Sequence, residues 1–289
     1  MQIVTDSGTD VGLSPKQAED LKISIIPLVV TLAGKSYREG VDIQPEEFYP
    51  LLENTEELPV TSQPSAGDFA EKYRQLAKHD KEILSIHISS GLSGTLNSAR
   101  LGAEMVPEAN VTLVDAKTLS AAAGWQVVEA AKANKAGWTK DKILDLVAKI
   151  SAASDSLYTL KDLTYLIHGG RISHIKGLLA SILNIKPLIG VEKQKGTYVQ
   201  RGQARTFKGA LQGLVDLIAK QHSLGAALRV QVRHANNPEG AEALKELMNK
   251  TFKCTFLPIT SLSLVLGAHT GPSMVGVAYT PLSAYPSVE

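Results

Sequence analysis

Strand-length apolar runs alternate with helix-length segments through the first half of the chain, and that alternation constrains the fold more than any other feature. Gln2–Thr5 is a short apolar strand leading into Asp6-Ser7-Gly8, and a helix starts at Ser14-Pro15, where Ser can cap and Pro suits the first turn. Ile23–Leu32 is a β-branched run ending at Ala33-Gly34-Lys35, a hairpin turn. Pro45 opens a helix through Leu52, and Pro64 opens another to about His79. Glu82–Ile88 reads as a strand, Thr95–Met105 as a helix, Val111–Val114 as a strand and Leu119–Lys135 as a long Ala-rich helix. Strands alternating with helices of this length predict a parallel sheet covered on both faces.

After Ala136-Gly137 comes one more helix, Lys140–Ile150, and then Ser151-Ala152-Ala153-Ser154, a weak linker signal. Beyond it the rhythm changes. Ile185–Glu192 and Thr197–Gln200 flank Lys195-Gly196 as an antiparallel hairpin, followed by helices at Phe207–Gln221 and Glu239–Asn249. Further strands fall at Ala227–Val232, Cys254–Pro258 and Met274–Tyr279. The expected class is α/β with two domains: residues 1–153 around a mainly parallel sheet flanked by helices, and residues 154–289 as a smaller α/β unit with an antiparallel sheet.

Charge and cysteine content narrow the function. Thirty Lys and Arg against 29 Asp and Glu leave a net charge of +1 over 289 residues, with the signs interspersed. A nucleic-acid binder would carry a gathered basic excess, so none is expected as a partner. Cys254 is the one cysteine, which rules out an intrachain disulfide or a cysteine-rich metal site. His168 and His174 lack metal-ligand spacing, so no metal is expected. The N-terminus has neither the basic start nor the apolar run of a signal peptide. The most apolar stretch, Gly177 to Val191, is interrupted by Asn184, Lys186 and Pro187 and is too short to span a bilayer. A cytoplasmic location without an integral membrane segment is expected.

Four polar segments could carry function. Ser89-Ser90-Gly91-Leu92-Ser93-Gly94-Thr95 joins a strand to a helix, where open α/β sheets bind ligands and free N–H groups suit an anion; it equally fits a capped turn. It lacks the Lys-Ser/Thr ending of a phosphate loop and the second Gly of a nucleophile elbow. Thr61-Ser62-Gln63-Pro64-Ser65 precedes a helix and can hold a carboxylate or cap the backbone. His269-Thr270-Gly271-Pro272-Ser273 reads as a polar turn after the apolar Leu262–Ala268, and Gly169-Gly170-Arg171 as a helix C-cap plus a paired Arg. His87, alternating within an apolar strand, reads as a satisfied core histidine.

Together these segments resemble the DegV family. The matching pieces are Thr5-Asp6-Ser7-x-x-Asp10, Ile26-Pro27-Leu28, Thr61-Ser62-Gln63-Pro64-Ser65, Ser90-x-Leu92-Ser93-Gly94-Thr95, Gly169-Gly170-Arg171-Ile172 and His269-Thr270-Gly271-Pro272, in that order. The resemblance implies one unit over about residues 1–285, with a single long-chain fatty acid of the palmitate, stearate or oleate class in a buried tunnel between two domains. It maps the carboxylate ligands onto Thr61, Ser93 and His269, with Ser62, Gly94 and Thr270 beside them. It also implies no catalysis by the chain itself and no cofactor, a role in lipid transport or fatty acid metabolism, and, for some members, presentation of the acid to an ATP-dependent fatty acid kinase. Arg205, ahead of Lys208, matches an Arg implicated in docking that partner.

The sequence departs from the family pattern at Ser273, where Gly is usual, and around Ala116–Ala121, which could alter the tunnel wall. With no cation inside the hydroxyl loops, His269 is expected to be protonated when the acid is bound. The alternative reading is a Ser/His-dependent hydrolase of acyl substrates, using Ser93 and His269 with Asp6 or Asp115. A phosphate binder is the third reading and requires a second cationic cradle.

Overall fold

The computed structural model describes residues 1–174 and 185–285. Residues 177–184 of the apolar stretch, including Asn184, lie outside them, as do residues 286–289.

The first half contains β1 (Gln2–Asp6), α1 (Pro15–Asp20), β2 (Ile23–Ile26), β3 (Val29–Leu32), β4 (Lys35–Arg38), α2 (Pro45–Glu53), β5 (Val60–Ser62) and α3 (Ala66–Ala77). It continues through β6 (Glu82–His87), α4 (Thr95–Glu104), β7 (Asn110–Asp115), α5 (Ser120–Lys135) and α6 (Lys140–Ala153). Strands β2-β1-β6-β7 form the expected parallel sheet. Successive strand residues point to opposite faces. Val4 and Ile83 pack with Phe69, Tyr73 and Ala99 of α3 and α4. Ile3, Leu84 and Ile86 pack with Trp125, Val127, Ile143 and Leu146 of α5 and α6. Ser14 caps α1 as expected, whereas α3 begins at Ala66, two residues after Pro64, with Ser65 as its cap; both serines close reciprocal capping boxes.

The run Ile23–Leu32 is not one strand. Pro27 and Leu28 interrupt it, so β2 stays in the parallel sheet while β3 joins a separate antiparallel sheet, β4-β3-β5. Pro27 has no N–H to give to a ladder, and a break there lets the chain change sheets.

The second half contains β8 (Asp155–Thr159), α7 (Thr164–His168), β9 (Lys186–Val191), β10 (Tyr198–Ala204), α8 (Phe207–Ala219), β11 (Ala227–His234) and α9 (Pro238–Thr251). It ends with β12 (Lys253–Phe256), β13 (Thr260–Ser261), α10 (Leu264–Thr270) and β14 (Val275–Pro281). A large sheet runs β10-β9-β8-β14-β11-β12, with β13 also on β11. Its pairs are antiparallel except β11 with β12 and β13. One face packs on α8 and α9 through Leu157, Leu214, Val230, Leu244 and Val277.

The other face meets the first half. Tyr158, Ile189, Val191 and Tyr198 of the large sheet, with Leu160 just past β8, share one apolar cluster with Leu28, Val30 and Leu32 around β3, Phe48, Tyr49 and Leu52 of α2, and Leu264–Leu266 of α10. Trp125 Nε1 donates to Gln231 Oε1 at 3.1 Å and Arg233 donates to the Asp10 carbonyl at 2.7 Å, fixing the two halves at further points. At the tip of the β9–β10 hairpin, Gly196 (φ +66°) sits so close to the Ser89 side chain that a Cβ would overlap it. Only glycine fits there, because the hairpin turn and the close approach both require it. Among the described residues no helix is long and apolar enough to cross a membrane.

Candidate functional site

α10 has only the residues Leu264–Thr270, yet it positions the most informative side chain. It packs against β3, β5 and α7. Its last turn therefore brings His269 beside Thr61 of β5, with His269 Nε2 2.8 Å from Thr61 Oγ1 across 208 positions of sequence. Gly271 (φ +74°) ends the helix, its N–H donating to the Gly267 carbonyl at 2.8 Å. His269 and Thr270 are thus helical, not part of a polar turn. An apolar stretch shorter than two full turns hides its helical period.

His269 is buried, and its Nδ1 has no hydrogen-bond partner among the described residues. The ring lies against the backbone of Gly169, where a Cβ would overlap Nδ1. Burial holds the imidazole down to a pKa of about 4, with the positive charge of Arg171 and the neighbouring His168 acting in the same direction. In the ligand-free protein His269 is therefore neutral at physiological pH. Among the described residues, the cation lining the site is Arg171. Its Nη1 donates to the Gly169 carbonyl at 2.6 Å, and the side chain also lines the cavity.

That cavity, about 30 Å³, is bounded by Thr61, Ser62, Gln63, Ser93, Arg171 and His269 on its polar side. Leu28, Ile88, Leu92, Leu119, Val265, Leu266 and Tyr198 form the remainder, most of them from the cluster between the halves. Ser93 is brought in by the β6–α4 loop; its Oγ lies 2.8 Å from Thr95 Oγ1 and accepts from the Thr95 N–H at 3.2 Å. Gly94 sits at the N-cap of α4 under the Gln63 amide, where a Cβ would crowd that side chain. Thr270 is not brought in: it is buried and its hydroxyl donates back to the Leu266 carbonyl at 3.2 Å. Arg205 is exposed between β10 and α8, away from the cavity, and Lys208 is exposed beside it.

The hydrolase arrangement is not assembled. His269 Nε2 faces Thr61 rather than Ser93, and no acid meets its Nδ1. Asp6 Oδ2 is 2.9 Å from His87 Nδ1, and Asp115 pairs with Lys117 and Ser90. An Asp–His–Ser chain does exist, Asp6 to His87 to Ser85 and on to Tyr73, but each of those residues is shut inside the parallel-sheet half. His87 is the satisfied core histidine that the strand pattern predicts. No group of three or more His, Cys, Asp or Glu among the described residues could hold a metal.

A larger cavity of about 380 Å³ lies at the other end of α10, lined by Asp6, Asp10 and Glu39 with Ser7 and Ser263. Its carboxylates would repel a fatty-acid head group, so volume alone does not make it the better anion site.

A family model described as an uncharacterised protein of the DegV family matches residues 1–282. The chain belongs to the DegV family. A DegV domain-containing protein of Staphylococcus aureus is 37% identical over 275 residues, covering 95% of this chain and 96% of that one. Another from Halalkalibacterium halodurans is 34% identical over 278 residues, covering 96% and 97%. DegV of Bacillus subtilis, described as a fatty acid binding protein, superimposes with TM-score 0.86 at 29% identity over 97% of this chain and 98% of that one. A Thermus thermophilus DegV protein, described for its fatty acid binding, gives TM-score 0.86 at 29% identity over 97% and 99%. A DegV lipid binding protein of Thermotoga maritima gives 0.85 at 27% identity over 97% and 98%.

Proposed function

We propose that this DegV protein is a cytosolic carrier of one long-chain fatty acid, of the palmitate, stearate or oleate class. In this reading the carboxylate is held at Thr61, Ser62, Ser93 and the Gly94 N–H, with His269 behind Thr61. The observation that carries it is the convergence of Thr61, His269 and Ser93, with Ser62, Gln63 and Arg171, on one cavity whose remaining lining is mostly aliphatic. Fatty acid binding by the Bacillus subtilis and Thermus thermophilus relatives supports it.

The chemistry is consistent with a monoanion. A neutral His269 protonated on Nε2 donates to Thr61 Oγ1, which frees the Thr61 hydroxyl proton for the carboxylate. Arg171 supplies the countercharge, and a single cation suits a carboxylate better than a phosphate. The tail extends into the cluster between residues 1–153 and residues 154–289, which we treat as the two domains. A cavity of about 30 Å³ has room for roughly one or two waters, so the tail enters as the aliphatic walls part. A sixteen-carbon tail leaving water gains about 12 kcal/mol gross, at ~0.8 kcal/mol per methylene. Separating the walls and immobilising the ligand offset part of that gain.

The chain has no catalytic role of its own in this reading. It serves lipid transport or fatty acid metabolism, handing its ligand to an ATP-dependent fatty acid kinase that docks near the exposed Arg205. Organic extraction of the purified protein and mass spectrometry test the carrier reading: about one fatty acid per chain is expected. A protein that carries none and takes up neither palmitate nor oleate refutes it.

A further inference from the structure

α10 connects two sites. Its C-terminal turn carries His269, and its N-terminus opens onto the cavity of Asp10 and Glu39. A helix leaves its first N–H groups without partners, and the residue before it normally supplies an oxygen. Ser263 stands at that position but makes no cap to its own helix. Its hydroxyl instead donates to Glu39 Oε2 at 2.9 Å, and the Leu264 N–H donates to Glu39 Oε1. Ser7, at the end of β1, donates to Glu39 Oε2 at 2.7 Å while its own oxygen accepts from the Leu28 N–H at 3.0 Å. One carboxylate from the β4–α2 loop therefore caps a helix of the other half and ties it to both β1 and the start of β3.

Leu264 and His269 are five residues apart, about 7.5 Å along a helix. So short a helix has little internal stability and takes its position from what holds its ends. At the far end, beside the packing on β5 and α7, His269 contacts Thr61, the same contact that the head-group site uses.

We infer that Glu39 is a positioning residue for the head-group site, acting through α10 on His269; the inference rests on the fatty-acid reading above. An ionised Glu39 accepts from Ser7, Ser263 and Leu264 at once. A protonated one turns an oxygen into a donor, so a Ser7 or Ser263 hydroxyl must turn round to accept from it, and the charge-assisted bonds that cap α10 weaken. Burial, with Asp10 nearby, raises Glu39 to a pKa of about 7, although the Ser7, Ser263 and Leu264 donors pull the other way. The remaining groups facing it are Asp6 at the end of β1 and Asp10 just after it, with His87 of β6 and Arg233 of β11 opposite those two, and Tyr49 of α2. On its own loop Arg38 and Asp42 pair with each other. Grip on the carboxylate therefore tightens as pH rises through about 7.

The test compares palmitate affinity of the parent, Glu39→Gln and Ser263→Ala between pH ~6 and ~8, with the His269 ring resonances recorded in the ligand-free samples by NMR. At the upper pH, Glu39→Gln should bind about three- to thirtyfold more weakly, the range that follows from loss of a helix cap. Its deficit against the parent should shrink toward the lower pH, and its His269 signals should be displaced. Ser263→Ala should change both readouts in the same direction by less, and it decides the matter if Glu39→Gln does not fold. Parent-like affinity at every pH with unmoved His269 signals overturns the inference and leaves the carrier reading standing. A parent that binds no fatty acid refutes the carrier reading instead, and the His269 signals then still decide whether Glu39 sets the ring.

Discussion

Thr61→Val removes one hydroxyl, keeps the side-chain shape, and leaves every aliphatic contact of the cavity in place. Thr61 lies in β5, paired with Val30 of β3, and a β-branched replacement suits that strand. Two interactions are lost: the bond to His269 Nε2 at 2.8 Å and, in the complex, the bond to the carboxylate. A hydrogen bond to a charged group is worth about 1.5–3 kcal/mol, so fatty-acid affinity should fall roughly 10- to 150-fold. In the ligand-free protein His269, with Nδ1 already unpartnered, loses its remaining bond, and the fold should lose about 1 kcal/mol. Isothermal titration with palmitate measures the first effect and urea unfolding the second. A double-mutant cycle with His269→Ala separates the relay from independent contacts: if Thr61 acts through His269, the two losses are clearly sub-additive. Parent-like affinity of Thr61→Val, or strictly additive losses, refutes the relay.

Arg171→Met should raise the His269 pKa above about 4 and weaken fatty-acid binding, both readable by NMR and calorimetry; an unchanged pKa would show that the two groups do not sense each other. Gly169→Ala should displace the His269 ring, because the new Cβ overlaps Nδ1, at a cost of about 1–3 kcal/mol in stability and with weaker binding. Because His269 titrates at about 4 when folded and near 6.5 when unfolded, the unfolded chain binds the extra proton between those values. The His269 contribution, roughly 3 kcal/mol, is therefore complete above pH ~6.5 and lost as pH falls toward ~4. Urea unfolding at several pH values should show this slope in the parent and not in His269→Asn. Ser93→Ala should lower fatty-acid affinity and leave no esterase activity to lose, since no acid orients His269; an esterase in the parent that this change abolishes would restore the hydrolase reading.

Much of the architecture was legible because local signals coincide with the elements. Ser14-Pro15 and Pro45 mark helix starts, Pro64 falls two residues ahead of one, and short apolar runs mark β1 and β6. The split at Pro27 was not, because a β-branched run reads as one strand until the partner sheets are known. At the site, Thr61, Ser93 and His269 stood out as types, but their meeting depends on three separate elements. Gly169-Gly170-Arg171 reads locally as a helix C-cap beside a buried or paired Arg, and the facing of Arg171 onto the cavity is purely tertiary. Glu39 carried no local signal, since its donors come from residues 7, 263 and 264. The Ser263 before the apolar Leu264–Ala268 and the Gly271-Pro272 after it were the available marks of α10.

The most direct test of the central claim is a crystal structure of the protein saturated with palmitate. The account requires one carboxylate within hydrogen-bond distance of Thr61 Oγ1 and Ser93 Oγ, with Arg171 beside it and the tail among Leu28, Leu119, Val265 and Leu266. A head group in the cavity of Asp10 and Glu39, or a tail lying against Thr61 and His269, would contradict it.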